Sequence, residues 1–407
     1  MTLRGFAATI LVLVTLATPS TTAIAATPPG ISVLQSDARV DFPRSIDFHV
    51  VAQSTGQVTE ARLAYRVADE TIIHLGRADV QPAARIDSHY VVDLQRAYYP
   101  PGVTIHYQWR IQDQSSAEVQ TVWSDLTLVD PRYRWHQQVR GVIHLHWHDV
   151  DDAYANAVLD TAYSTFTSPS QVGSSQNSQP INVFMYGRLA DFRGVLGVGS
   201  QEWVGGQTFP QYRVVLLLIS PTDVAGAQRS IAHEMVHMRL DAVEEGTVAP
   251  LPTWLDEGLA MVAEGNTQPA FQQALDQANR NHHLISIQSL SGSFPETSAE
   301  ATVAYAESES LVRYFLKTYG QEKLSTLIAD FRQGLSADDA FQHSVGVSSR
   351  GFQQAWQATL ATAPQPATPT SDTSSPLARA IMTPIRAVIG FVTDLLRSLQ
   401  APKLKTA

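Results

Sequence analysis

The pattern of apolar and polar positions divides the chain into two textures. From residue 31 to about 130 it is that of β-structure: "SIDFHVV", "EARLAYRV", "SHYVVDL", "VTIHYQWRIQ" and "VQTVWSDLTLV" are short runs separated by turn residues. In the fourth run Val103, Ile105, Tyr107, Trp109 and Ile111 alternate with mostly polar partners, which a strand with one buried face requires. Short strands at regular intervals over about a hundred residues predict an all-β immunoglobulin- or fibronectin-like sandwich over 31–130. After "DPRYRW" the pattern changes. "GVIHLHWHDV", "INVFMY" and "YRVVLLLIS" read as strands, and "DDAYANAVLDTAYSTF" as a helix entered at Asp151 or Asp152. The glycine-rich "GVLGVGSQEWVGGQTFPQ" connects the last two strands. From 227 onward the apolar spacing is helical, around 228–241, 253–264, 300–319, 321–333, 336–345 and 348–361. Ser336 and Ser348 are suited to N-caps, and Gly320, Gly334 and Gly346 to stops. Strands followed by helices predict an α+β domain over 131–362.

The ends of the chain differ from both textures. Arg4, an apolar run over Ile10–Ala17 and the small residues around Ala23–Ala25 have the order of a secretory signal peptide, so residues 1–25 are expected to direct export and be removed. The apolar run is well short of the ~20 residues that a membrane-spanning helix needs. The expected location is secreted or at the extracytoplasmic cell surface. Residues 363–376 form a Pro/Ser-rich linker. Over 377–407, Ile385, Val388, Ile389, Val392, Leu395, Leu396 and Leu399 share one helical face, opposite Arg386, Thr393, Asp394 and Arg397. With five basic residues against two acidic from 363 onward, this helix fits contact with a membrane surface and equally fits docking on the protein itself.

Composition narrows the chemistry. A formal charge of −10 gives no general attraction to nucleic acid. The absence of cysteine removes disulfides, thiolate nucleophiles and sulfur ligands, so a metal must be held by His, Asp or Glu.

The segment "IAHEMVHMRL", 231–240, concentrates such groups. On a helix, His233 and His237 lie ~40° and ~6 Å apart, so one ion at ~2.0–2.1 Å from each nitrogen can touch both. Glu234 projects ~100° away, near enough to act on a water at the ion without ligating it. The plain alternative is the polar face of a solvent-facing helix. Ile231, Met235, Met238 and Leu240 nearly surround the histidines, however, and buried imidazoles beside a carboxylate need partners. A third ligand is expected from nearby in space, and "TWLDEGLAMVAEG" starts a second helix at Thr253 after Pro250 and Pro252. Asp241, Glu244, Glu245, Asp256, Glu257 and Glu264 are all candidates.

H-E-x-x-H followed about twenty residues on by W-L-x-E-G-x-A, with 19 residues between His237 and Glu257, resembles the glutamate-zincins, the thermolysin and aminopeptidase N group, and within them the bacterial exported peptidase MA-like proteins. The resemblance extends over roughly 140–360, although its specific motifs occupy only 233–237 and 254–260. It implies a zincin-like catalytic domain, one Zn2+ ion, a peptide or protein substrate, and Glu257 as third metal ligand. It also implies that Gly258 and Ala260 let the second helix approach the first, and that Tyr305, in "AYAESESLVRYFLKTYGQEKLSTLI", stabilises an oxyanion. Two departures stand out. No G-A-M-E-N stretch holds a substrate amino group, so exopeptidase activity is not implied and Glu202 takes no such role. The spacing is also one residue longer than in the aminopeptidases. The strand "YRVVLLLI" is placed to pair with an extended peptide.

Two further histidine groups are weaker candidates. His144, His146 and His148 alternate on one strand face, where the ordinary expectation is a wet surface, and His282–His283 lies in a polar loop. The expected function is thus that of an exported zinc metallopeptidase with Glu234 as general base. The second reading is a surface binding or adhesion protein whose metallopeptidase-like domain is structural.

Overall fold

The computed structural model describes residues 30–168, 179–196, 205–244, 249–295 and 298–362. The expected signal peptide, the linker and the C-terminal helix lie outside the described residues, as does Glu202. Among the described residues no helix is long and apolar enough to cross a membrane. The chain forms two compact units, one made of residues up to Ala97 with Val103–Leu128, the other of Tyr98–Gly102 with Val129 onward.

The first unit is all β: β1 (Ile31–Asp41), β2 (Ser45–Val67), β3 (His74–Arg77), β4 (Ala83–Asp93), β5 (Thr104–Asp113), β6 (Glu118–Gln120) and β7 (Ser124–Thr127). All pairings are antiparallel. The long β2 merges two of the predicted strands and changes partners along its length. Its first half pairs with β1 and β4, its second with β3 and β5. The period-two pattern is realised in β5, where Ile105, Tyr107, Trp109 and Ile111 are all buried, as is Val103 just before it.

The second unit is built on a five-stranded sheet with the order β11 (Gly206–Phe209), β12 (Val214–Leu218), β10 (Ile181–Tyr186), β9 (Ile143–Trp147), β8 (His136–Arg140). The three central strands are parallel and the two edge strands antiparallel. Helix α1 (Asp152–Thr167) links β9 to β10, as a parallel pair requires. Its N-cap is Asp151, whose carboxylate accepts from the Tyr154 amide at 2.8 Å. The short α2 (Leu189–Arg193) follows β10. Next come α3 (Val224–Glu244), α4 (Thr253–Ala263), α5 (Pro269–Arg280), α6 (Ile287–Leu290), α7 (Ser298–Arg332), α8 (Ala337–Val345) and α9 (Ser349–Thr362). Within α7, Gly320 at φ +81° breaks the helical course at the predicted stop. Gly346 ends α8 in the left-handed region, and Ser336 caps its start.

Two cores meet at α3. On one side Ile231, Met235 and Met238 pack with α1 against Leu145, Val183 and Leu217 of the sheet. On the other, Val236 and Leu240 join Trp254, Leu255, Phe315, Phe341 and Trp356 of the helices. A helix apolar on two sides leaves one stripe for polar groups, and His233 and His237 occupy it.

Candidate active site

Asp223 starts α3, its carboxylate accepting from the Gly226 amide at 2.8 Å. Three turns on, the helix presents His233 and His237, with ring centroids 4.9 Å apart. Helix α4 brings Glu257 to them: its Oε2 lies 3.3 Å from His233 Nε2 and 3.7 Å from His237 Nε2. One ligand atom from each of these three residues falls within 4.8 Å of the others. The other ring nitrogens turn outward. His233 Nδ1 lies 2.9 Å from Glu264 Oε1, and His237 Nδ1 lies 3.0 Å from Asp256 Oδ1. Glu264 is itself fixed by Gln268, whose amide donates to Oε2 at 3.0 Å. Asp256 and Glu264 therefore hold the two rings through the nitrogens turned away from Glu257.

Burial alone would strip protons from both imidazoles. It is outweighed at His233 by the Glu257 and Glu264 carboxylates and by the charge of Glu234, which together raise the pKa well above 6.5. At His237 burial is outweighed by Asp256 and Glu257, and the value rises to about 9. The field that holds protons on these rings also favours a dication between them. Glu257 Oε2 is buried and has no hydrogen-bond partner. An orphaned carboxylate oxygen facing two imidazole nitrogens is a donor set that fits a borderline divalent ion such as zinc.

Glu234 is buried on the neighbouring side of α3, and its Oε2 accepts from Thr208 Oγ1 at 2.6 Å. Thr208 belongs to β11, the edge strand of the sheet, which also supplies Gly206. A Cβ on Gly206 would lie 2.2 Å from Glu234 Oε1, so the missing side chain is the space that the carboxylate fills. This corrects the expected peptide-pairing strand. β12 has β11 on one side and β10 on the other, and among the described residues this edge of the sheet belongs to β11. That strand lies inside the segment expected to be a glycine-rich connection.

Gly258 has a different role from the expected one. A Cβ there would lie 2.5 Å from the Ser308 carbonyl of α7, so the close approach is between α4 and α7, not α4 and α3. Successive helical residues point ~100° apart, and with Glu257 turned to the histidines Gly258 must face another neighbour. Tyr305 lies on α7 one turn before Ser308, half-buried, its ring edge-on to Phe294 at 5.1 Å.

The strand histidines do not converge. His146 stacks on Phe184 at 4.3 Å and bonds Asn182 at 3.1 Å, and burial pushes its pKa down to about 4. His148 stacks on Tyr133 at 4.0 Å and pairs with Asp149. Their face of the sheet is covered by an aromatic cluster that includes Trp135 and Tyr186, where a wet surface was expected. His282 and His283 are exposed at the end of α5.

His233, His237 and Glu257 form a group that could hold a metal ion, placed between a sheet and a set of helices. Residues 161–362 match the family described as the Peptidase MA superfamily, which supports a peptidase-like domain over this part of the chain. No curated protein matches the chain. Among solved structures, that of the Br derivative of BhCBM56 is 11% identical, with 26% of this chain and 99% of that chain covered, at a TM-score of 0.19. At that score the likeness carries no argument about fold or function.

Proposed function

We propose that the protein is a zinc-dependent peptidase of the glutamate-zincin type, in which His233, His237 and Glu257 hold the ion. The observation that carries this reading is the convergence of His233 Nε2, His237 Nε2 and the otherwise unpartnered Glu257 Oε2, with buried Glu234 beside them. When bound, the ion supplies Lewis-acid polarisation of the scissile carbonyl and acidifies the attacking water.

The chain's own groups do the rest. Glu234 accepts a proton from water as the water oxygen bonds to the carbonyl carbon. It then passes that proton to the amine nitrogen as the C–N bond breaks, leaving an amine and a carboxylic acid that loses its remaining proton to solvent. Thr208 holds Glu234 in place through its hydroxyl. The outer edge of β11 is suited to align an extended peptide beside Glu234 by strand addition. A buried, hydroxyl-anchored Glu234 has no use in a purely structural site, which weighs against the binding-protein reading.

The reading is tested by mass spectrometry of products from a peptide library. Cleavage is expected, abolished by chelator and restored by zinc. Cleavage that survives complete metal removal, or none in a zinc-loaded folded protein, refutes it. A finer prediction concerns Gly206→Ala. The new methyl must push the Glu234 carboxylate aside, and misplacing a reacting group by ~1 Å can cost ~100-fold. The variant is expected to keep its zinc and lose about that much in kcat. Unchanged kcat would show that Glu234 does not act from this position.

A further inference from the structure

The first unit carries a second set of imidazoles and carboxylates arranged like the first. Asp37 on β1, His49 on β2 and His89 on β4 are direct cross-strand partners, forming one row over three adjacent strands. Asp47 and Asp87 stand two residues before the two histidines, on the same face, because side chains alternate along a strand. Ile46, Phe48 and Val50 on the opposite face are fully buried, so the row faces outward.

The two rings are stacked, with centroids 4.5 Å apart and planes 19° from parallel. His49 Nε2 lies 2.9 Å from Asp87 Oδ1, and His89 Nε2 lies 3.7 Å from the same oxygen. One ligand atom from each of His49, Asp87 and His89 falls within 4.8 Å of the others. The Nδ1 atoms turn to the remaining carboxylates: His49 to Asp37 at 3.4 Å and His89 to Asp47 at 2.9 Å. Each imidazole is thus oriented through Nδ1 by one carboxylate while Nε2 faces a shared third. The same relation joins His233, His237 and Glu257, there built on helices and here on strands.

We propose that His49, His89 and Asp87 form a second divalent-metal site, taking zinc or a similar borderline ion and clipping β4 to β2. The chemistry of the donors argues for this over a plain ion-pair network. Two protonated imidazoles stacked face to face repel each other, whereas two neutral ones sharing an ion do not. Three carboxylates surround the two rings, and their oxygens attract a cation. Imidazole nitrogens favour zinc-like ions over calcium or magnesium, which seek oxygen. The His49 side chain is 16% exposed, His89 49% and Asp87 67%, so the site is open to solvent and the ion exchanges readily.

The proposal does not rest on the peptidase reading, and its test keeps the two apart. Full-length His233→Ala/His237→Ala protein, which lacks both imidazoles of the helical site, is stripped with chelator and titrated with Zn2+ and with Co2+ as a spectroscopic probe. It is expected to bind about one ion per chain, with cobalt bands showing nitrogen ligation and with the ring signals of His49 and His89 displaced in NMR spectra. Adding His49→Ala/His89→Ala should abolish this binding. Asp87→Asn, at an exposed position that does not threaten folding, should weaken it by about tenfold or more. Folded His233→Ala/His237→Ala protein that binds no ion, or binding that Asp87→Asn and the histidine substitutions leave unchanged, would overturn the proposal.

Discussion

Glu234→Gln is expected to lower peptide hydrolysis by about 10³-fold while leaving the zinc content unchanged. The substitution keeps the shape of the side chain and can retain a hydrogen bond to the Thr208 hydroxyl, but an amide cannot accept the proton that the attacking water must lose. General-base groups of this kind contribute typically ~10²–10⁴-fold. Glu234 faces Thr208 and Gly206 and no imidazole hydrogen-bonds to it, so its loss should not release the ion. Paired measurements of kcat and bound metal on the same preparation check this. A variant as fast as the parent removes Glu234 from the reaction. A variant that loses zinc in proportion to activity makes it a ligand instead.

Glu257→Ala should have the opposite profile, with activity falling to background because the ion is gone. Removing a carboxylate that merely orients a ligand costs ~10–100-fold in affinity, and removing a direct ligand should cost more. Glu257 is also a cause of the raised pKa of both His233 and His237. Its loss therefore weakens the field that draws a cation to the pair. Zinc affinity measured by competition with a chelator of known strength reads this directly. Asp256→Asn should be the milder change, since Asp256 reaches only the far nitrogen of His237. If Asp256→Asn released the ion and Glu257→Ala did not, the assignment of the third ligand would be reversed.

How much of this was legible in the chain depended on whether a contact is local. The H-E-x-x-H spacing shows itself because a helix puts residues four apart on one face, and the caps at Asp151 and Ser336 follow from the same local chemistry. The apolar residues around His233 marked a buried helix, and Ile231, Met235, Met238 and Leu240 are indeed buried. Choosing Glu257 over the neighbouring carboxylates needed the family resemblance. The separate tasks of Asp256 and Glu264 emerged only once α4 was seen beside α3. One hint was available: Glu264 follows Glu257 by seven residues, two helical turns, on nearly the same face.

The parts that stayed hidden lack a local signature. Strand β8 is exposed at every residue and so has no alternation to detect. Strand β11 is four residues long, begins with Gly206 and sits among glycines. Nothing along the chain links Gly206 to Glu234, 28 residues away, until the sheet edge and α3 are brought together. The row of Asp37, His49 and His89 is set by strand register alone, which residue spacing does not encode.

The central claim is that two imidazoles and the Glu257 carboxylate together hold one divalent ion. X-ray absorption at the zinc edge tests it most directly, on full-length His49→Ala/His89→Ala protein so that the sheet site contributes nothing. The predicted signal is a shell of nitrogen and oxygen at about 2.0–2.2 Å, with outer scattering from two imidazoles that disappears in the same protein carrying His233→Ala/His237→Ala. A zinc shell without imidazole scattering, or a folded protein that takes up no zinc, would contradict it.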